Sequence, residues 1–194
     1  MLLAIVAAKG GVGKTTTAVH LAEALTEATT GRVVLLDGDA TRAATAWLHR
    51  GAGRLCFDVR APGDPTGDAA HVVVDTAANE APADLLELTA RADVVLIPTP
   101  PYALDLAATL HTLALLTDHP HVRVLLTRTP PAPQRDALDA RALLEGRGAQ
   151  VLRHEVPHRK VFTEAALAGV TIRSVRGGTN LWPIWPAIVA EVTP

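Results

Sequence analysis

Three glycines, two lysines and two threonines fall within ten residues in the stretch "AAKGGVGKTT", Ala7 to Thr16. Gly10, Gly11 and Gly13 let backbone N–H groups turn inward around phosphate oxygens. In such a loop Lys14 neutralises the β and γ phosphates of a nucleotide, and the Thr15 hydroxyl faces Mg²⁺. Val12 and Thr16 complete the cradle. The apolar run "LLAIVAA" precedes the loop and a helical pattern follows it. Strand, loop and helix in that order give the motif its meaning, because the helix N-terminus adds partial positive charge. Ala8 stands where the usual pattern begins with glycine. Lys9 comes before the glycines, where its own nucleotide has no use for it.

Carboxylates follow at the ends of further apolar runs. "VVLLDGDA" sets Asp37 and Asp39 two residues apart, so both face the same way in extended chain. "HVVVDTA" ends in Asp75, the usual place for a carboxylate linked to Mg²⁺ in a nucleotide-binding fold.

The elements that must hold these groups are legible as an alternation. "LLAIVAA", "RVVLLD", "HVVVD", "DVVLIP" and "VRVLLT" predict strands buried on both faces. "KTTTAVHLAEALTEA", "TRAATAWLHR", "APADLLELTARA", "ALDLAATLHTLALLT" and "RDALDARALLEG" predict helices between them. Gly31 and Gly146 are expected to punctuate two helix C-termini. The pattern specifies an α/β domain, a P-loop fold with a mainly parallel twisted sheet and helices on both faces. Residues 1–194 are expected to form a single domain, with surface connections at Ala61–Ala70 and Thr129–Gln134.

The net charge of -2 excludes a strongly basic nucleic-acid protein, so any polyanion surface must be a local patch. The single cysteine, Cys56, rules out an intrachain disulfide and fits a reducing compartment. No apolar run reaches the roughly 18 residues of a membrane span.

"KGGVGKTT", "LLDGDA", "VVVDTA" and "ADVVLIPTPPYALDL" resemble, in order and spacing, the ParA/MinD group of deviant Walker-A ATPases. The resemblance is nearest to short ParA-type partition ATPases that lack an N-terminal DNA-reading domain. It continues through "TAWL", "LLTR" and "VPHRKVFTEAALAG". It implies ATP and ADP as ligands with Mg²⁺, and a homodimer that sandwiches two nucleotides. Lys9 is then the lysine that reaches the partner's ATP, much as an arginine finger does. By the same resemblance Asp39 orients the attacking water, Asp37 supports the Mg²⁺ shell and Asp75 holds a Mg²⁺ water. Thr127 and Arg128 match the segment near the base, and Pro157 lies in the loop expected to cover the adenine. The chain departs from the family at Asp39-Ala40-Thr41, often D-P-Q, and at Pro101-Tyr102-Ala103, often P-S-P.

Other signals carry less. "HEVPH" spells a zinc pattern, but Pro157 breaks the helix that chemistry needs. The only serine, Ser174, lies in no nucleophile elbow. "NLWPIWPAIVAEV" lacks Lys and Arg, so it is expected to dock on the body and not on a membrane. Basic residues concentrate from Arg147 to Arg176, which makes Arg153, Arg173 and Arg176 candidates for DNA contact.

The expectation is a cytoplasmic, nucleoid-associated ATPase whose ATP dimer binds DNA without sequence preference. It would partition a plasmid or chromosome with a ParB/ParG-like partner. Two rivals are an ATPase that positions a protein cargo and a metabolic P-loop enzyme.

Overall fold

The computed structural model describes residues 1–78 and 80–193. Seven strands form one sheet in the order β3-β2-β4-β1-β5-β6-β7, and every pairing is parallel. The strands are β1 (Leu2–Ile5), β2 (Val33–Asp37), β3 (Asp58–Arg60), β4 (His71–Asp75), β5 (Val94–Thr99), β6 (Val122–Thr129) and β7 (Val156–Pro157). The chain leaves β1 toward β2 on one side and later crosses to β5 on the other. The glycine loop at the end of β1 therefore sits at the topological switch point, where open parallel sheets bind ligands.

Alternation along the central strands divides the core. Leu3 and Ile5 face a layer made by α1 (Lys14–Ala28), α2 (Ala43–Gly51), α6 (Lys160–Ala168) and α7 (Ile184–Val192). Ala4 and Val6 face the opposite layer, where α3 (Pro82–Ala90) and α4 (Ala103–Leu115) pack. A third cluster joins α4 to α5 (Asp136–Glu145) over β6. Both faces of the sheet are covered, which is why the strands are continuous apolar runs rather than alternating ones.

The structure differs from the sequence reading at several places. It adds β3, β7 and α6, which the sequence reading leaves out: two or three residues carry no periodicity, and the helix-spaced Val161, Phe162, Ala165 and Ala166 of α6 follow a proline-bearing loop. Gly31 does not cap α1; Thr29 closes that helix in extended conformation. Gly31 is glycine because a Cβ there would strike the Ala70 side chain. Gly146 does cap α5 but stays right-handed, and the left-handed turn is made by Gly148, φ 82°. The "NLWPIWPAIVAEV" tail docks as expected: α7 buries Trp185 and Ile188 completely. Its prolines are tolerated because Pro183 and Pro186 lie at the N-cap and in the first turn, where N–H groups have no helical partner.

Candidate functional site

The loop takes the shape its glycines permit. Gly11 and Gly13 have φ of 77° and 101°, and Gly13 is the residue from which α1 starts. Val12 is buried, and its carbonyl accepts the Thr127 hydroxyl at 2.8 Å. Thr127 thus props the loop with its hydroxyl proton, and its oxygen keeps lone pairs that can accept at the cavity. The Lys14 ammonium lies 3.4 Å from the Lys9 carbonyl, curled over the loop. Burial lowers the Lys14 pKa, while Asp75, Asp39 and Glu80 oppose that shift.

The strand register brings the carboxylates to this spot. Asp37 and Asp75 are paired positions on neighbouring β2 and β4, and Asp75 is level with Ile5 of β1. Both aspartates are fully buried. Burial drives the Asp75 carboxyl up to about 7; the Thr15 hydroxyl pulls it down, Asp37 pushes it further up, and Lys14 pulls it down again. Among the described residues, neither Asp75 oxygen nor Asp37 Oδ1 accepts a hydrogen bond of good geometry; the Thr15 hydroxyl acts on the Asp75 carboxyl from nearby without meeting that geometry. Three bare, buried carboxylate oxygens beside a threonine hydroxyl and a phosphate cradle form a donor set that suits a hard divalent cation and its waters. Mg²⁺ fits these residues.

Asp39 stands further out. Its Oδ1 accepts both the N–H and the hydroxyl of Thr41, each at 2.8 Å. Those bonds hold its pKa below the usual carboxylate range. Thr41 is one of the departures from the family pattern, and its effect is to tie one oxygen of the water-orienting candidate. Lys9 is tied as well: its ammonium lies 2.7 Å from Oδ1 of Asp105, in the first turn of α4. In the single chain this lysine points to its own α4 and away from its own phosphate cradle.

Beyond the loop a cavity of about 350 Å³ opens, lined among others by Gly13, Thr16, Arg128, Pro157, Phe162 and Trp185. Arg128 adopts φ 51° at its rim, and Pro157 of β7 forms part of its wall. The volume falls in the range of small-molecule sites. Under the cavity lies His20, fully buried on α1. Its Nδ1–H donates to the Thr16 carbonyl at 2.7 Å, and its Nε2 accepts the Ile172 N–H at 3.1 Å. Both bonds fix the neutral tautomer, and burial lowers the pKa to about 4. Trp185 stacks on the ring at 4.8 Å, with Trp47, Phe162 and Trp182 around it.

The structure thus brings together the glycine loop, Lys14, Thr15, Asp37 and Asp75, with Arg128 and Pro157 lining the neighbouring cavity. It does not gather the three arginines. Arg153 lies where its N–H meets Glu191 near the end of α7. Arg173 is at the other end of that helix, paired with Glu27 at 2.6 Å, which also receives Trp182. Arg176 is exposed. In "HEVPH", His154 bonds Glu191 while His158 faces the cavity, and Val156 and Pro157 between them form β7. Sequence reasoning missed Asp105, Thr45, His20 and Phe162. His20 alone had a signal: it sits one helical turn after Thr16.

Loop, sheet order and strand-end carboxylates together define a P-loop nucleotide-binding domain. Residues 3–172 match the CobQ/CobB/MinD/ParA nucleotide binding domain, and the chain belongs to that family. It is 38% identical over 186 residues to the maintenance of carboxysome distribution protein A of Gloeobacter kilaueensis, covering 91% of this chain and 85% of that one. The protein of the same name from Halothiobacillus neapolitanus is 29% identical over 188 residues, covering 88% and 85%. The fold is shared with apo McdA from Cyanthece, with a TM-score of 0.77 at 14% identity, covering 98% of both chains.

Proposed function

We propose that this chain is a Mg²⁺-dependent ATPase that dimerises on ATP and distributes a protein cargo of the carboxysome kind over the nucleoid. The observation that carries the choice of cargo is the 38% identity to a carboxysome distribution protein over nearly the whole chain. That relationship favours a protein cargo over the plasmid or chromosome partition expected from the sequence, and over a ParB/ParG-like partner. The cytoplasm follows from the nucleoid as track. No helix among the described residues is long and apolar enough to cross a membrane.

Bound Mg²⁺ supplies charge to neutralise the β and γ phosphates. Thr15, Asp37 and Asp75 would hold it, the aspartates through water. Gly10 to Thr16 bind the phosphates, and Lys14 sets its charge on them. Asp39 orients the attacking water with the oxygen that Thr41 leaves free. Lys9 exchanges Asp105 for the partner's nucleotide, which makes dimerisation depend on ATP. Tyr102 and Leu104, exposed beside Asp105, border the face that meets the second copy.

The test is made in the native host with a fluorescent cargo and with Asp39→Ala, which should bind ATP but not hydrolyse it. Deleting the gene, or carrying that variant, should clump the cargo while plasmids and chromosome loci segregate normally. Normal cargo spacing with lost plasmids or loci would return the partition reading.

A further inference from the structure

We propose that Thr45 is the positioning residue for the metal-side carboxylate, and that α2 is braced at its far end to keep it so. The inference rests on the Mg²⁺–nucleotide reading of the site. The two oxygens of Asp37 are in unequal states. Oδ2 accepts the Thr45 N–H at 2.8 Å and the Thr45 hydroxyl at 2.6 Å. Oδ1 is buried with no partner among the described residues. A carboxylate held by two donors from one residue cannot swing about its terminal torsion, so the bare oxygen always faces the same way. It is next to Asp75, whose two oxygens are bare as well. The Asp37 carbonyl is tied too, by the Arg42 guanidinium. Asp37 is thus held at three points by Arg42 and Thr45, at and just inside the start of α2, before any cation arrives.

Such an arrangement is only as firm as the helix that carries Thr45. At its other end α2 is pinned to the wall of the base cavity. Trp47 Nε1 donates to the Val170 carbonyl at 3.1 Å, and Arg50 Nε donates to the Ala166 carbonyl at 2.8 Å. The backbones of Gly51 and Gly169 touch, so that a Cβ on either would run into the other. Ala166, Phe162 and Thr163 of α6 line the cavity. The helix therefore spans from the bare carboxylates to the base wall. Partners that orient the groups around a metal without touching it typically carry 10–100-fold in metal affinity, and Thr45, acting on a carboxylate that would hold the ion through water, belongs at the low end of that range.

The rival explanation is that Thr45 merely caps α2. Both explanations predict lower thermal stability when the hydroxyl is removed, so stability alone does not separate them. The separating quantity is the gain in affinity for a fluorescent ADP analogue when EDTA is replaced by excess Mg²⁺. For Thr45→Val, which keeps the shape and the N–H, affinity in EDTA should stay within about two-fold of the parent. The Mg²⁺-dependent gain should fall by about 10-fold. Thr45→Ser should restore it. A Thr45→Val protein with the full parental gain, or one weakened equally in both buffers, would overturn the positioning role alone. A parent protein that gains nothing from Mg²⁺ would overturn the site reading and this inference with it.

Discussion

The two ends of the cleft are built on opposite principles. The phosphate and metal end is polar, and its groups are either tied to one neighbour or left bare: Lys9 on Asp105, Asp39 on Thr41, Asp37 on Thr45, Asp75 on nothing among the described residues. The other end, where a base would lie, is aromatic, with both His20 nitrogens bonded and the ring enclosed by Trp185, Trp47, Phe162 and Trp182, of which Trp185 keeps a buried Nε1–H without a partner among the described residues. Bare oxygens at one end are desolvation held in reserve for a cation. At the other end the imidazole bonded at both nitrogens is a rigid floor on which specificity can be built. One end is poised to change on binding, and the other is made not to.

The comparison breaks most severely at Lys14. Removing the buried ammonium leaves phosphates facing a cradle without its cation, and truncations of buried charge pairs cost about 2–5 kcal/mol. Lys14→Ala should weaken ATP binding by about 100-fold or more in a fluorescent-nucleotide titration, with the thermal midpoint of the free protein little changed.

The base end answers to acid instead. His20 titrates near 6.5 when unfolded and near 4 when folded, so the unfolded chain holds the extra proton between those values. Its contribution to stability is complete above pH 6.5 and is lost as pH falls toward 4. Two and a half pK units correspond to about 3 kcal/mol. Asp75, raised to about 7 when folded, pulls the opposite way over the same window, so the readout is the difference in urea stability between the parent and His20→Gln, which should change by about 3 kcal/mol between pH 6.5 and 4. A difference that stays constant over that range would contradict a neutral, buried His20.

A smaller effect is expected where the polar end is held only by a half-exposed ion pair. Asp105→Asn releases Lys9, and such pairs are worth up to about 1 kcal/mol. Two such pairs are released per dimer, so the ATP-driven dimer should form at up to roughly 30-fold lower concentration by light scattering. Lys9→Ala should bind ATP but stay monomeric. The least effect belongs to the scattered arginines. Arg153→Ala should weaken duplex binding by the ATP form only a few-fold, uniformly across sequences, and reduce the log–log salt slope by roughly 0.9 if it neutralises one phosphate. An unchanged slope would remove Arg153 from the DNA surface.

The same contrast explains which parts of the site are legible in the sequence. The polar end is coded in contiguous stretches: Lys9 to Thr16, Asp37 to Asp39 and Asp75 each sit at the end of an apolar run. Their meeting follows from parallel-sheet register. The base end is assembled from residues 152 positions apart, as between His20 and Ile172, and 123 apart, as between Trp47 and Val170. No local pattern announces those contacts. Asp105 and Thr45 are hidden for another reason: each looks like an ordinary acidic or hydroxyl residue near a helix start, and only the geometry shows what it holds. The arginines fail in the reverse sense, since proximity in sequence from Arg153 to Arg176 becomes opposite ends of α7.

The placement of the aromatic rings has an optical consequence. All three tryptophans stand with ring centres between 4.8 and 6.4 Å from one imidazole, and Trp185 borders the cavity where a base would lie. The tryptophan emission of the chain thus originates from a single small volume beside that cavity. The unlabelled protein carries its own gauge of occupancy: nucleotide entry should alter the colour or brightness of that emission, while events at distant surfaces leave it unchanged.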